Sequence, residues 1–204
     1  MISTFTAFID ANVFYGARLR SLVLFVAQSK IFRARWSNEV HDEWVRNLVK
    51  NRPDLQESDL DRTRQLMNAA VPDCLVEGYE PLIAGLQLPD ENDRHVLAAA
   101  IQTRANVIVT FNQKDFPEDA ISQFRLHTKH PDDFLVDAYN LSPEDFVEAM
   151  QNDFAHYGKP PLVYEEYLES LAKAGVPQIA KILEPFKVLM PTDGNGEANS
   201  GTSQ

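Results

Sequence analysis

The 204 residues carry 19 Lys/Arg against 30 Asp/Glu, a formal net charge of −11, with 44% hydrophobic and 24% charged content and one cysteine. This balance reads as a soluble globular chain of one domain, or one domain with a helical appendage, and its longest strongly apolar run, residues 22–27, is far too short to span a bilayer. Cys74 has no partner for an internal disulfide and the opening MISTFTAFID carries no basic leader, so a reducing, cytoplasmic setting is expected.

Residues 6–9 read as a short buried strand, with the apolar, aromatic and β-branched bias of that class, and Asp10 closes it. A carboxylate at the carboxyl end of a parallel strand stands where open α/β sheets place their ligand crevice. Asn12 is placed to cap the next helix or to orient Asp10. Residues 13–28 have a helical apolar pattern, and Ile31-Phe32 is a brief apolar link. Ser37 suits the N-cap of a helix over 38–50, on which Val40, Trp44 and Leu48 form one apolar stripe. Glu43 lies nearer that stripe than Glu39, so Glu43 is expected to point inward and Glu39 to stay structural. A helix over 58–71, a short strand at 74–76 and a short helix over 81–86 follow.

The densest stretch is LPDENDRHVLAAAIQTRANVIVTFNQKD, residues 88–115. Asp90, Glu91 and Asp93 lead into a helix over 93–104, where the macrodipole by itself favours acids. Val107-Ile108-Val109 reads as a strand covered on both faces; it ends in Thr110-Phe111-Asn112, with Asp115 beyond, and residues 124–128 supply a last strand. From Pro131 the pattern is helical: 132–141, 142–157, 164–174 and 176–189. The expected organisation is an α/β domain over 1–130, a helical extension over 131–190 and a tail over 191–204 with the composition of disorder.

Asp10, Glu43, Asp90 or Asp93, and Asn112 or Asp115 all end strands or begin helices, so a doubly wound parallel sheet can gather them at its carboxyl edge. Converging carboxylates repel one another unless a cation sits among them. Oxygen donors of this kind suit a hard divalent ion, Mg²⁺ or Mn²⁺. No His/Cys spacing suggests zinc, and no glycine-rich phosphate loop appears among the eight glycines. The overall negative charge speaks against nucleic acid, but its distribution does not. Residues 1–52 hold eight Lys/Arg against four acids, +4, leaving −15 for the rest. Arg33, Arg35, Arg46 and Lys50 are therefore candidates for an RNA backbone; Tyr15, Phe32 and Trp36 suit the core first and base stacking second.

DANVFY, SNEVHDEWVRNL and DENDRHVLAAAIQTRANVIVTFNQKDFP together resemble the PIN-domain ribonucleases, in particular the VapC-type toxins of bacterial toxin–antitoxin pairs, over roughly residues 4–130. The helical region resembles the extension of a larger VapC-like subgroup. The resemblance implies a three-layer α/β/α fold with a central parallel sheet. It also implies a Mg²⁺- or Mn²⁺-dependent endoribonuclease acting on tRNA or ribosomal RNA, a cognate antitoxin partner and pairing as a homodimer. Asp10, Glu43 and Asp93 match the family's acids, with Asp90 a second candidate in the same turn. The fourth position is Asn112, where many members have Asp, and Asp115 stands ready to supply the charge. That departure keeps a second expectation open: a PIN-fold module that binds RNA or protein without turnover.

Overall fold

The computed structural model describes residues 5–157 and 162–190; the tail expected to be disordered lies outside the described residues. Four strands, β1 (Thr6–Ile9), β2 (Arg33–Arg35), β3 (Val107–Val109) and β4 (His127–Lys129), form one sheet in the order β2-β1-β3-β4, every pair parallel. The central pair is buried at every position, which is why TAFI and VIV are apolar without alternation. The edge strands read RAR and HTK.

That difference accounts for two corrections. The residues after the Ile31-Phe32 link form β2, level with β1 through Thr6 and Arg33, Ala7 and Ala34, and Phe8 and Arg35. The last strand is confined to His127–Lys129 rather than 124–128. An edge strand shows water one face and one side, so neither needs an apolar run. The expected strand at 74–76 is reduced to a single bridge between Trp36 and Leu75.

The helices follow in chain order as α1 (Ala11–Tyr15), α2 (Ala17–Gln28), α3 (Asn38–Asn51), α4 (Glu57–Ala70), α5 (Glu80–Ile83), α6 (Arg94–Gln102) and α7 (Glu118–Ile121), then α8 (Pro131–Leu141), α9 (Pro143–His156), α10 (Tyr164–Lys173) and α11 (Pro177–Leu183). The single helix expected over 13–28 is two, because Gly16 takes an extended ψ of 118° between them. Ser37 caps α3 by accepting from the Val40 N–H at 3.2 Å. A buried polar relay holds that helix: Trp44 Nε1 donates to His41 Nδ1, and Asn68 Oδ1 on α4 meets both His41 Nε2 and Trp36 Nε1. Phe32 and Trp36 are core residues, 1% and 0% exposed, so neither is free to stack on a base.

Residues from both the sheet domain and the helical region belong to one buried cluster. Its seam runs along α2 and α9 and contains Asp153, fully buried, which accepts from the Ser21 hydroxyl on α2 and from Tyr167 Oη on α10 at 2.7 Å. No helix among the described residues is long and apolar enough to cross a membrane.

Candidate metal and nucleic-acid site

The chain leaves β1 toward β2 on one side, and β3 lies on the other side with β4 beyond it. The carboxyl ends of β1 and β3 therefore flank the switch point, where the loops diverge and leave a crevice. Asp10 sits there, 4% exposed, with its backbone N–H on the Val109 carbonyl at 3.1 Å. Its Oδ1 accepts from the Ala11 N–H at 2.6 Å, so it also caps α1. Its Oδ2 accepts from Asn12 Nδ2 and from the Thr110 hydroxyl, both at 2.7 Å. Asn12 completes the clamp: its Nδ2 also reaches Thr110 Oγ1 at 2.9 Å, and its Oδ1 accepts from the Phe111 N–H at 3.1 Å. Asn12 thus orients Asp10, and Thr110 is a site residue that the sequence reading passed over as mere strand end.

Glu43 comes from α3. Its side chain is 29% exposed against 47% for Glu39, so the helix turns Glu43 further inward, as the stripe geometry requires. His95, on the first turn of α6, lies between them, with Nε2 3.5 Å from Glu43 and Nδ1 3.3 Å from Glu39. His95 holds no role among the sequence-based expectations. Its signal was its position two residues after Asp93, on the helix that brings Asp93 to the crevice.

Asp93 is half-buried at the N-terminus of α6. Asp90 is exposed and caps the short turn before it, accepting from the Asn92 N–H at 2.9 Å. Beyond β3, Asn112 is exposed and Asp115 half-buried in the following turn. Burial, then the negative charges of Asp10, Asp90, Asp115 and Glu43, push the Asp93 carboxyl up to about 7. Burial also raises Asp10 to about 6, aided by Glu43 and opposed by the Thr110 bond. For His95, burial opposes the charged form, but Glu43, Glu39 and Asp10 outweigh it and hold the imidazole above its usual value. The carboxylates are thus near enough to perturb one another. Among the described residues no three His, Cys, Asp or Glu side chains are gathered tightly enough to enclose a metal as they stand. The donors are oxygens at the rim of a crevice, which fits a hard cation that keeps part of its water shell.

The basic candidates divide. At about 100° per residue, Glu39, Glu43, Arg46 and Lys50 fall within about 60° of one another around α3. Arg46 and Lys50 are exposed and line a cleft of about 460 Å³ between α3 and α4, with Asp42, Val45, Glu57 and Arg64. Arg33 is exposed at the amino end of β2, level with Thr6 and away from the Asp10 tip; Arg35 is half-buried two residues on. Tyr15 is 37% exposed and accepts from Asn51 Nδ2 at 3.1 Å.

A parallel α/β sheet with carboxylates gathered at its switch point, two of them raised by burial and neighbouring charge, defines a domain with an acidic ligand site. A family model described as PIN domain matches residues 6–114, and a second, described as VapC50 C-terminal domain, matches residues 131–185. The chain belongs to the PIN-domain family, in the two-part VapC-type arrangement. It is 42% identical over 103 residues to "Putative ribonuclease VapC50" of Mycobacterium tuberculosis (strain ATCC 25618 / H37Rv), a stretch covering 50% of this chain and 60% of that protein. The chain therefore spans less than two thirds of the length of the relative it matches. No solved structure gives a match.

Proposed function

We propose that this chain is a Mg²⁺- or Mn²⁺-dependent endoribonuclease that cuts tRNA or ribosomal RNA and serves as the toxin of a toxin–antitoxin pair, in the cytoplasm and as a homodimer. The observation that carries the reading is the gathering of carboxylates at the sheet's switch point, where burial and then Glu43 raise the proton affinity of Asp10, and burial and then Asp10, Asp90, Asp115 and Glu43 raise that of Asp93. Its VapC-type family membership points the same way.

Asp10, Glu43 and Asp93 would hold the cation, with Asp115, the neutral oxygen of Asn112 and the rim carboxylate Asp90 as further donors. A bound cation lowers the pKa of its water and offsets charge on the phosphate. The protein's own part is placement. Thr110 and Asn12 fix Oδ2 of Asp10 and the Ala11 N–H fixes its Oδ1, His95 steadies Glu43 against Glu39, and the repulsion among the acids would be relieved by a bound cation. Arg46 and Lys50, on the same face of α3 as Glu43, receive the phosphates that continue past the scissile one, and Arg35 and Arg33 extend the basic character along β2. The cognate antitoxin meets the same acidic crevice.

Asn112 favours a second reading, a PIN-fold module that binds RNA or protein without turnover, because it withholds one negative charge from the site. One experiment decides between them: cleavage of mixed tRNA and ribosomal RNA with Mg²⁺ or Mn²⁺, by wild type, Asp10→Asn, and wild type with EDTA. Discrete cuts that need both the metal and Asp10 support the nuclease. Intact RNA from folded, antitoxin-free protein favours the binding module.

A further inference from the structure

We infer that the helical extension is a positioning element of the carboxylate site, and that it acts through the seating of Phe111 on the turn at Gly175. The inference rests on the reading of Asp10 as part of that site.

Phe111 is the residue immediately after Thr110, at the tip of β3. Its backbone N–H is held by Asn12 Oδ1 at 3.1 Å, and Asn12 in turn donates to Asp10 Oδ2 at 2.7 Å. Its ring leaves the crevice and packs edge-on against His130, centroids 4.9 Å apart. Its far end meets the turn between α10 and α11. There Gly175 has φ +92°, a conformation that L side chains rarely adopt, and a Cβ on it would stand 2.8 Å from Phe111 Cε1 and 3.2 Å from Cζ. Both the backbone angle and the ring demand a glycine at this place.

The turn that forms the seat is itself fixed. The Gly175 N–H bonds the Ala172 carbonyl and the Val176 N–H bonds the Leu171 carbonyl, closing the end of α10. Asp132, 2% exposed in the first turn of α8, accepts from the N–H groups of Gln178 at 2.8 Å and Ile179 at 3.0 Å, so it caps α11 from another helix. His130 Nδ1 accepts from the Asp132 N–H at 3.2 Å, which places the same short segment against both the seat and the ring. A continuous path of packed and hydrogen-bonded groups therefore runs from α11 through Asp132 and His130 to Phe111, Asn12 and Asp10. Close-packed interiors pass small displacements along such paths rather than absorbing them, and a functional carboxylate keeps its geometry only as well as the groups behind it do. Phe111 is a positioning residue on this account.

The test uses the full chain as Gly175→Ala, Phe111→Leu and the double variant. The side-chain amide resonances of Asn12 and the hydrogen exchange of the Phe111 N–H are read by NMR, without added metal. Melting temperature with and without MnCl₂, and kcat and KM for RNA cleavage, are read beside them. Gly175→Ala shifts the Asn12 signals and speeds Phe111 exchange by about tenfold or more while Phe8 and Ile9 keep their protection. Phe111→Leu moves the Asn12 signals, lowers the protection factor of the backbone N–H at position 111, reduces the Mn²⁺-linked rise in melting temperature, and lowers kcat by about tenfold to a hundredfold with KM changed far less. The double variant loses the clash with the ring but keeps the strain of a side chain at φ +92°, so it returns only part of the way toward the Phe111→Leu values.

Unchanged Asn12 amide geometry and an unchanged protection factor for the backbone N–H at position 111 in Phe111→Leu, with only a lower melting temperature, overturn the inference. So does a uniform loss of protection that includes Phe8 and Ile9. Phe111→Leu decides the matter if Gly175→Ala does not fold. Wild type that neither cuts RNA nor gains stability from Mn²⁺ defeats the nuclease reading alone, because the NMR readouts still decide whether the seat positions Asn12.

Discussion

Thr110 donates its hydroxyl hydrogen to Asp10 Oδ2 at 2.7 Å, joining two strand tips 100 residues apart in sequence. The bond opposes the rise in proton affinity that burial imposes on Asp10. Thr110→Val keeps the shape and removes the donor. It is expected to cost about 1–3 kcal/mol, because a buried charged acceptor loses a partner, and to raise the Asp10 pKa further. Thermal unfolding and carboxyl ¹³C titration measure the two effects, and Thr110→Ser should restore both. An unchanged Asp10 titration in Thr110→Val would mean that the bond does not tune the carboxylate.

The pH dependence of the metal-free protein follows from the signs. Asp10 and Asp93 have folded values of about 6 and about 7 against an ordinary 3.8, so the folded state holds their protons longer than the unfolded chain does. Their contribution to stability is fully present below the ordinary value and is lost as pH rises to the folded values, a window from about 4 to about 7. His95, also raised, has the same sign and loses its contribution as pH passes its folded value. His41 is lowered by burial and works the opposite way on acidification. The informative quantity is therefore the difference between wild type and Asp93→Asn in EDTA. Asp93→Asn should be the more stable at pH 8, by a few degrees at about 2–4 °C per kcal/mol for a chain of this size, and the gap should close toward pH 4. A gap that widens on acidification contradicts the charge crowding on which the site reading depends.

Arg46→Ala and Lys50→Ala should each weaken RNA binding uniformly across sequences and reduce the slope of log Kd against log salt by about one. Binding is measured in an Asp10→Asn background so that cleavage does not interfere. Arg33→Ala should change the slope least, since Arg33 lies at the amino end of its strand, level with Thr6. A salt slope that depends on Arg33 and not on Arg46 would move the RNA path to the β2 edge.

Asp153→Ala should lower the melting temperature more than any surface substitution. It leaves the buried Tyr167 hydroxyl without its acceptor, at a cost of about 1–3 kcal/mol, and takes the partner from the half-buried Ser21 hydroxyl. Asp153→Asn, which keeps one acceptor oxygen, should fall between. Equal melting temperatures for Asp153→Ala and wild type would show that the α2 and α9 seam is held by apolar packing alone.

Much of this was determined by the sequence by itself. Two short, largely apolar runs read as buried strands, the caps at Ser37 and the acids before α6 marked helix starts, and the 3.6-residue period already turned Glu43 inward and Glu39 outward. The motif of acid, Ala-rich helix, strand and TFN lies within the residues that match the PIN domain. What the sequence did not show depends on contacts between distant residues. The edge strand β2 has no apolar run because water covers one side of it. Thr110 and His95 carry no local pattern, because their roles exist only when β3 meets β1 and α6 meets α3. Asp153 is one acid among eleven in the helical region, and only packing takes every bit of its surface from water. Gly175 looked like an ordinary helix stop, and only the arrival of Phe111 from the other part of the chain made the absence of a Cβ a matter of space as well as of backbone angle. Local periodicity is written in the order of residues; the partners of a buried polar group are decided by the fold that brings them together.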